Sequence, residues 1–600
     1  MSTIQEQAVS EMPNPEEIAQ TYAEVARRAS SLINEHVQRQ FKKGIEVPTD
    51  ELGIAHAFMD MMARLLSNPY KLAQSQMGLV WDYFTLWQQS MLRFAGMQAA
   101  PVAEPARSDK RFRDDAWQET FTFDFIKQSY LILARNIHDT VNSVEGLDAQ
   151  TAKKVDFYTR QYIDAFAPSN FALTNPEVFR ETVRSNGQNL LRGLNNLLRD
   201  IEEGHGNLKV KMVDTSAFEL GKNVAVSPGK VVFQNDMMQL LQYAPSTEKV
   251  LKRPLLIVPP WINKFYILDL REKNSFVRWA TAQGHTVFLV SWVNPGEKLA
   301  DKTFGSYMEE GILAALGAIE KQTGEEQIDV AAYCIGGTLL ATTLAYMAAK
   351  KDNRIATATF FTSLIDFSEP GELGVFIDEG QISSLEKKMA EHGYFEGSEM
   401  ANTFNMLKAN DLIWSFVVNN YLMGKDPFPF DLLYWNSDST RLPAKMHSFY
   451  LRNMYMKNKL IEPGGIEING VPIDITKIKV PCYFVSTKED HIAPWKSTYK
   501  GAARLTAPVR FTLGGSGHIA GVVNPPDARK YGYWQSSSAK MPKTADEWFA
   551  SAEQFEGSWW TDWQAWITSF GKEEVPARDP AKGKLKALED APGSYVKFRL

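Results

Sequence analysis

Most of the first 204 residues show the spacing of amphipathic helices, with apolar side chains recurring every three or four positions. Within residues 1–98 the clearest stretch is HAFMDMMARLLSNPYKLAQSQMGLVWDYFTLWQQSMLRFAGM, which is rich in methionine and aromatic residues. The Ala- and Pro-rich segment AAPVAEPARSDK, residues 99–110, follows it as a candidate linker. We therefore predict a helical N-terminal extension over 1–98 and a helical N-terminal domain that continues over 99–206.

From residue 207 onward, short apolar runs alternate with helix-like segments. Strands that are apolar along their whole length are typical of a parallel sheet covered by helices on both faces. We predict an α/β domain over 207–600, with strand-like runs in NLKVKMVD, GKVVFQ, PLLIVPPW, TVFLVSW, QIDVAAYC, IATATFFTSLI and VPCYFVST.

Residues 368–455 interrupt this alternation. They include the stretch DLIWSFVVNNYLMGKDPFPFDLLYWNSDSTRLPAKMHSFYLRNMY, which is rich in aromatic residues and loop formers. A long insertion between two strands of an α/β sheet ordinarily covers the carboxyl edge of the sheet, where ligands bind. We predict a cap subdomain over about 368–455. A subunit interface is the alternative, and one segment can serve as both.

The composition excludes several classes of protein. The chain has 65 Lys and Arg against 71 Asp and Glu, and the resulting net charge of −6 gives no electrostatic support for nucleic-acid binding. Its two cysteines, Cys334 and Cys482, rule out a disulfide framework and fit a reducing compartment. The polar, acidic N-terminus lacks the features of a signal peptide, and no apolar run is long enough for a transmembrane segment. We therefore expect a cytoplasmic protein.

Cys334 lies at a predicted corner between a strand and a helix. The strand DVAAY precedes it, and two glycines and the helix-like run TLLATTLAYMAAK follow it. This is the layout of a nucleophile elbow, in which small residues two positions before and after the nucleophile prevent backbone clashes. Those positions are Ala332 and Gly336; because the first is usually glycine, we expect slight crowding and an intact turn. The helix N-terminus would stabilise a thiolate, whereas a buried structural cysteine is the alternative.

A thiol nucleophile needs a base, and the base needs an acid that orients it. In folds with this elbow, the acid and then the histidine follow the nucleophile along the chain. Asp490 comes just after the strand VPCYFVST, and His518 lies in a glycine-rich loop after another short strand. His491 competes with His518, but adjacent residues point in different directions, so an acid rarely orients its own neighbour. We therefore favour His518.

Two backbone N–H groups are candidate donors to the oxyanion that forms during acyl transfer. One is the N–H of Ile335, directly after the nucleophile. The other is the N–H of Ile262, in the stretch VPPWINKFYILDL after an early strand. Among the other candidate residues, His285 and His447 have ordinary explanations as polar or core histidines, and Cys482 as a small core residue of its strand.

Several stretches of the chain resemble class I polyhydroxyalkanoate synthases, the bacterial polymerases of (R)-3-hydroxyacyl-CoA. The resemblance covers about residue 108 to the C-terminus, whereas residues 1–98 match only in general character. The stretches that carry it are FDFIKQSYLILARN, APSNFALTNPEVFRETVRSNGQNLLRGLNNLLRD, PPWINKFYILDL, AYCIGGT, NYLMGKDPFPFDLLYWNSDSTRLP, HSFYLRNMYMKNKL, TKEDHIAPW and GSGHIAGVVNPP.

This resemblance implies a helical N-terminal domain, an α/β-hydrolase catalytic domain and a mobile cap that gates entry. It implies a catalytic triad of Cys334, Asp490 and His518, with no metal and no bound cofactor. It further implies that the substrate is (R)-3-hydroxyacyl-CoA, that the active form is a homodimer, and that the protein attaches to polymer granules and their associated proteins.

Two other functions remain open at the level of sequence. A thiol-dependent hydrolase of the same fold would act on esters or thioesters and release free acid. A granule-surface scaffold with a vestigial site is the third hypothesis, which the Met- and Trp-rich helices permit. Trp559, Trp563 and Trp566 share one face of a predicted helix, although such a stripe more often belongs to a core than to a lipid anchor.

Overall fold

A computed structural model of the chain describes residues 27, 30, 50, 52–204, 206, 208–538 and 540–599. They fall into two compact units. The first unit comprises the chain up to Asp214 together with Lys408–Phe428, and the second comprises Thr215–Leu407 and the chain from Pro429 onward. The predicted boundaries at residues 98 and 206 stay predictions, and most of the helical prediction before residue 50 lies outside the described residues.

The first unit is helical. Side-chain caps define several helix starts: Asn68, Asp148 and Asn175 each accept a hydrogen bond from a backbone N–H of the first turn, and proline follows Asn68 and Asn175 as the first helical residue. Within the described ranges, none of the helices combines the length and apolar composition that crossing a bilayer requires. The helices are α1 (Ile54–Ser67), α2 (Pro69–Phe94), α3 (Ala116–Glu119), α4 (Phe121–Asn142), α5 (Ala149–Ala165), α6 (Pro176–Arg184) and α7 (Gln188–Glu203).

The segment Lys408–Phe428, from the middle of the predicted cap, packs against α7. It contains two π-helical stretches, Asn410–Trp414 and Val417–Leu422. A Cβ atom at Gly193 of α7 would lie 1.8 Å from the carbonyl oxygen of Tyr421, so only glycine permits this contact. The hydroxyl of Tyr421 donates to Asp200 at the far end of α7, at 2.6 Å.

The run NLKVKMVD contains no strand over its described residues 208–214, so this strand prediction is wrong. Polar side chains of the first unit bind the backbone of the run instead. The carboxylate of Asp200 accepts a hydrogen bond from the N–H of Lys211 at 2.9 Å, and the amide of Asn420 donates to the Lys211 carbonyl at 2.7 Å. Because side chains satisfy these backbone groups, no strand partner is needed.

The second unit is built on an 11-stranded mixed sheet. The strands of the unit are β1 (Gly229–Gln234), β2 (Met238–Tyr243), β3 (Lys249–Leu251), β4 (Leu255–Val258), β5 (Val287–Trp292), β6 (Ile328–Tyr333), β7 (Ile355–Phe361), β8 (Tyr394–Phe395), β9 (Leu442–Pro443), β10 (Glu467–Ile468), β11 (Val471–Pro472), β12 (Cys482–Thr487), β13 (Val509–Gly514), β14 (Tyr533–Gln535), β15 (Glu553–Phe555), β16 (Glu574–Pro576) and β17 (Glu589–Asp590). The central strands of the 11-stranded sheet, β13–β12–β7–β6–β4–β5 in spatial order, are parallel, and antiparallel strands extend both edges.

Every residue of β4, β5, β6 and β12 is buried, as the apolar runs predicted. The α-helices of this unit are α8 (Phe276–Ala282), α9 (Phe304–Ser306), α10 (Ala314–Thr323), α11 (Ile335–Lys350), α12 (Glu379–His392), α13 (Gly397–Leu407), α14 (Asp431–Asn436), α15 (Ala444–Tyr450), α16 (Trp495–Ala503), α17 (Ala545–Ala550) and α18 (Trp560–Ser569). Two further π-helical stretches, Tyr307–Leu313 and Leu451–Met456, join α9 to α10 and follow α15.

The tryptophan stripe near the C-terminus belongs to the core. Trp559 and Trp563 are fully buried, and the side chain of Trp566 packs against the ring of Tyr483 with a centroid distance of 5.2 Å. The core interpretation of this stripe is therefore confirmed, which removes one argument for a scaffold that uses it as a lipid anchor.

Candidate active site

Cys334 occupies the corner between β6 and α11. Its backbone has φ 54° and ψ −123°, a conformation that side-chain-bearing residues rarely adopt. The turn is held on both sides, because the N–H of Cys334 donates to the carbonyl of Phe361 in β7 and its carbonyl accepts from the N–H of Gly337, each at 2.9 Å. The thiol is half-buried at the carboxyl end of the strand.

The residues around the corner explain why the chain turns there. A Cβ at Gly336 would lie 2.5 Å from the carbonyl oxygen of Val258, so the close approach of β4 requires glycine. Ala332 is fully buried in β6, in register with Val258 and Phe360 of the two neighbouring strands. The turn therefore forms with alanine at this position, and the slight crowding we expect there stays a prediction.

Asp490 and His518 lie together at the same edge of the sheet. Asp490 follows β12 and His518 follows β13, and the imidazole Nδ1 is 2.7 Å from a carboxylate oxygen of Asp490. Both residues are buried. The other carboxylate oxygen accepts hydrogen bonds from the N–H groups of Ile492 and Ala493 at 2.8 and 2.9 Å, which fixes the carboxylate. The histidine that binds Asp490 is thus His518.

The surroundings of His518 favour its protonated form. Burial alone lowers the pKa of this imidazole, but the Asp490 carboxylate and the Cys334 thiol, as charges and as hydrogen-bond partners, outweigh burial and raise its pKa from 6.5 to about 10. The hydroxyl of Tyr333, the residue before the thiol, donates to the His518 carbonyl at 2.8 Å. His518 is therefore hydrogen-bonded to Asp490 and interacts electrostatically with Cys334.

Two tyrosines of the predicted cap interact electrostatically with Cys334, and neither was among the residues predicted for the site. Burial raises the pKa of Tyr450 and Tyr455, and the charge of Cys334 raises both further, so the two phenols lie within electrostatic reach of the thiol. Their rings lie 5.3 Å apart, and Phe367 contacts both. The available signal was the stretch HSFYLRNMYM, where α15 continues into a π-helix, a feature common at functional sites.

The two candidate oxyanion donors lie at the start of α11 and in the loop after β4. Within the part of the chain that the structure describes, neither the N–H of Ile335 nor that of Ile262 has a hydrogen-bond partner. Ile335 begins α11 directly after the thiol. The carbonyl of Ile262 accepts from the N–H of Thr440 at 3.0 Å, so this loop is held from the cap side.

The other two candidate histidines have structural roles. His285 is hydrogen-bonded to Gln564 at 2.8 Å, and burial lowers its pKa to about 4. His447 stacks on Phe395 with a centroid distance of 5.1 Å, and burial lowers its pKa to about 3. Both are core histidines, as the sequence predicted.

Two family descriptions match the chain. The family described as the N-terminus of poly-beta-hydroxybutyrate polymerase (PhaC) matches residues 108–280, and the alpha/beta hydrolase fold matches residues 254–525. The second match spans the elbow, Asp490 and His518, and the predicted fold class is confirmed.

Sequence identity to curated proteins shows which family the chain belongs to. A poly(3-hydroxyalkanoate) polymerase of Methylorubrum extorquens is 51% identical over 89% of this chain and 88% of its own length. The chain belongs to the poly(3-hydroxyalkanoate) polymerase family. Other members include the polymerase subunits PhaC of Rhizobium meliloti (strain 1021), 50% identical over 89% of this chain and 87% of that protein, and of Cupriavidus necator, 41% identical over 90% and 91%. The family resemblance seen in the sequence is confirmed, and membership sets the hydrolase and the scaffold aside.

Proposed function

We propose that Cys334, His518 and Asp490 form the catalytic triad of a polymerase that joins (R)-3-hydroxyacyl units from their CoA thioesters. The polymerase activity itself follows from membership of the family. The observation that carries the residue roles is the hydrogen bond between the Asp490 carboxylate and the His518 imidazole, which interacts electrostatically with the thiol of Cys334 at a strained corner. This is the arrangement that activates a nucleophile in acyl transfer.

The first half of the cycle loads the enzyme. His518 takes the proton of the Cys334 thiol, and the thiolate attacks the carbonyl carbon of the acyl-CoA. The N–H groups of Ile335 and Ile262 bind the oxyanion of the tetrahedral intermediate. The carbon–sulfur bond to CoA then breaks, the CoA sulfur takes the proton from His518, and a hydroxyacyl thioester remains on Cys334.

The second half extends the chain. The hydroxyl of a 3-hydroxyacyl unit attacks a thioester carbonyl, a carbon–oxygen bond forms, the carbon–sulfur bond breaks, and the hydroxyl proton passes to the departing sulfur. The hydrogen bonds of the site support His518 as the base that takes the hydroxyl proton. Both carboxylate oxygens of Asp490 are already occupied, one by the imidazole and one by two backbone N–H groups.

Water must be kept from the acyl-enzyme, because hydrolysis would end the polymer. Phe367 packs against the rings of Tyr450 and Tyr455, which lie within electrostatic reach of the thiol, and this aromatic cluster supports exclusion of water. The experiment that tests the function incubates the purified protein with (R)-3-hydroxybutyryl-CoA. It measures released CoA, free acid and chloroform-soluble polymer together.

We expect CoA release to far exceed free acid, with the difference recovered as polymer. Butyryl-CoA, which lacks the hydroxyl, is the control and should release at most one CoA per active site. Release of one free acid per CoA, without polymer, would show that the protein acts as a hydrolase and not as a polymerase.

We also propose that the protein is located at polymer granules, and exposed aromatic side chains of α2 support this location. Trp81, Phe84 and Trp87 expose 68%, 47% and 54% of their surface and lie in a row with ring centroids 6.0 and 6.2 Å apart. Exposed apolar rows of this kind mark interaction surfaces. We assign this row to the surface of the cytoplasmic polymer granule. The homodimer and the granule-associated proteins implied by the resemblance stay predictions.

Replacement of Trp81, Phe84 and Trp87 by serine should lower the fraction of protein that sediments with polymer granules. The rate of CoA release should stay within about threefold of the wild type. The matched control replaces Phe570 and Leu588, exposed apolar residues of the second unit, with serine. Unchanged sedimentation of the α2 variant would refute the granule assignment, as would an equal loss in the control.

A further inference from the structure

A short strap of the cap lies along the loop that carries Ile262. The strap, residues 438–440, contacts the loop 261–264 through an isolated antiparallel bridge between Asn263 and Ser439. Thr440 is the main contact and is only 4% exposed. Its hydroxyl donates to the carbonyl of Trp261 and lies 3.0 Å from the carbonyl oxygen of Ile262, which also accepts from the N–H of Thr440.

These contacts determine where the N–H of Ile262 points. The Trp261 carbonyl and the Ile262 N–H belong to the same peptide unit, and in a planar trans peptide they point in opposite directions. Because Thr440 holds the carbonyl, the N–H is directed away from the strap. The indole N–H of Trp292 donates to the carbonyl of Pro259 at 2.9 Å, so the start of the loop is fixed as well.

The strap is itself immobilised by a buried ion pair. The ammonium of Lys264 lies 2.8 Å from a carboxylate oxygen of Asp438, and both side chains are almost fully buried. The hydroxyl of Tyr266 donates to the other carboxylate oxygen at 2.9 Å. Lys264 also donates to the carbonyls of Val596 and Phe598, at 2.8 and 2.7 Å. These two residues therefore hold the ammonium group of the ion pair from a second side.

We propose that Thr440 is a positioning residue for the polymerase reaction, whose hydroxyl aims the Ile262 N–H at the oxyanion formed at Cys334. This inference rests on the proposed function, since it assumes that Cys334 is acylated. Thr440 touches no reacting atom and acts only through the peptide between Trp261 and Ile262. A residue in this role affects the rate of acyl transfer and leaves the thiol and its base unchanged.

The test compares Thr440→Val with Thr440→Ser. Valine keeps the shape of the side chain and removes the hydroxyl, whereas serine keeps the hydroxyl. Loss of one oxyanion donor lowers kcat by roughly 10²–10³-fold, and a misaimed donor should cost part of this. We expect Thr440→Val to lower the maximal single-turnover rate of CoA release from (R)-3-hydroxybutyryl-CoA by roughly 10–100-fold. The KM measured in steady-state assays should stay nearly unchanged. Thr440→Ser should restore most of the rate.

Two controls separate positioning from a structural effect. Thr343→Val removes another buried hydroxyl, which donates to the backbone carbonyl of Leu339 at 2.7 Å. This variant should keep the wild-type rate of CoA release. Alkylation of Cys334 by iodoacetamide needs no oxyanion donor and should proceed equally fast in Thr440→Val and in the wild type.

The proposal is overturned if Thr440→Val keeps the wild-type rate, if Thr440→Ser is equally slow, or if alkylation slows in parallel with CoA release. Failure of the proposed function has a different signature. In that case Cys334→Ala would itself still release CoA, whatever residue stands at position 440.

Discussion

The two cysteines of the chain lie at opposite ends of the parallel strands of one sheet and differ in almost every property that controls a thiol. Cys482 begins β12, is fully buried, and its thiol donates to the carbonyl of Val480 at 3.1 Å. Burial raises the pKa of this thiol far above its usual value. Cys334 follows the last residue of β6, is half-buried, and interacts electrostatically with the imidazole of His518.

The difference shows that position along a parallel strand decides what a thiol can do. In open parallel sheets the ligand site lies outside the carboxyl ends of the strands. Cys482 is at the amino end of β12, whereas Asp490 follows the carboxyl end of the same strand. One strand therefore has a packing thiol at one end and the proposed acid of the site at the other.

The largest expected effect comes from removing each thiol in turn. Cys334→Ala should lower CoA release by roughly 10⁴-fold or more, because no other described nucleophile occupies the elbow. Cys482→Ala leaves the site intact and removes only a small buried side chain. It should keep activity within about threefold and reduce the free energy of unfolding by about 1 kcal/mol. Initial rates with (R)-3-hydroxybutyryl-CoA and urea denaturation measure the two effects, and the opposite ranking of the rates would contradict the comparison.

The two histidines near the acid give the next largest effect. His518→Gln removes the proposed base of the thiol and should lower CoA release by roughly 10³-fold or more. His491→Gln alters a residue adjacent to the acid and should cost less than about tenfold. Both variants are assayed side by side with the same substrate; a greater loss in His491→Gln would show that the wrong histidine has been assigned.

Asp490 should control the protonation of His518 and therefore the reactivity of only one thiol. In Asp490→Asn the main influence that raises the imidazole pKa is gone, so the alkylation of Cys334 by iodoacetamide at pH 7 should slow by roughly tenfold. Peptide mapping separates Cys334 from Cys482, whose alkylation should stay undetectable in the folded protein. Equal alkylation of Cys334 in both proteins across pH 6–10 would argue against coupling of the three groups.

The same pair makes a prediction about stability. The pKa of His518 is raised from 6.5 to about 10, so its interaction with Asp490 contributes fully below about pH 6.5, declines above that value and is lost as the pH passes about 10. The difference in free energy of unfolding between wild type and Asp490→Asn should therefore shrink as the pH rises from 7 to 10. Urea denaturation at several pH values measures it, and a difference that grows with pH would contradict the raised pKa.

The smallest effect is expected at Ala332, before the elbow. Ala332→Gly should reduce the free energy of unfolding by roughly 0.5–1 kcal/mol, because glycine loses more backbone freedom in a strand. Activity should change by less than about threefold, since the turn already forms with alanine. An activity gain above this range would show that the alanine crowds the elbow.

The parts of the molecule that the sequence predicted well have local signals. The strands β4, β5, β6, β7 and β12 are short apolar runs bounded by turns, and the elbow, Asp490 and His518 each follow such a run. The parts that it did not predict depend on contacts between distant residues. Nothing in the neighbourhood of Tyr421 indicates that its segment packs against Gly193, and nothing near Thr440 indicates that its hydroxyl binds the carbonyl of Trp261.

The most direct test of the central claim locates the acyl group. The protein is mixed with less than one equivalent of (R)-3-hydroxybutyryl-CoA, quenched in acid and digested, and the peptides carrying Cys334 and Cys482 are analysed by mass spectrometry. We predict a hydroxybutyryl thioester on the Cys334 peptide and none on the Cys482 peptide. An acyl group on Cys482, or polymer formation without any acyl group at Cys334, would contradict the account.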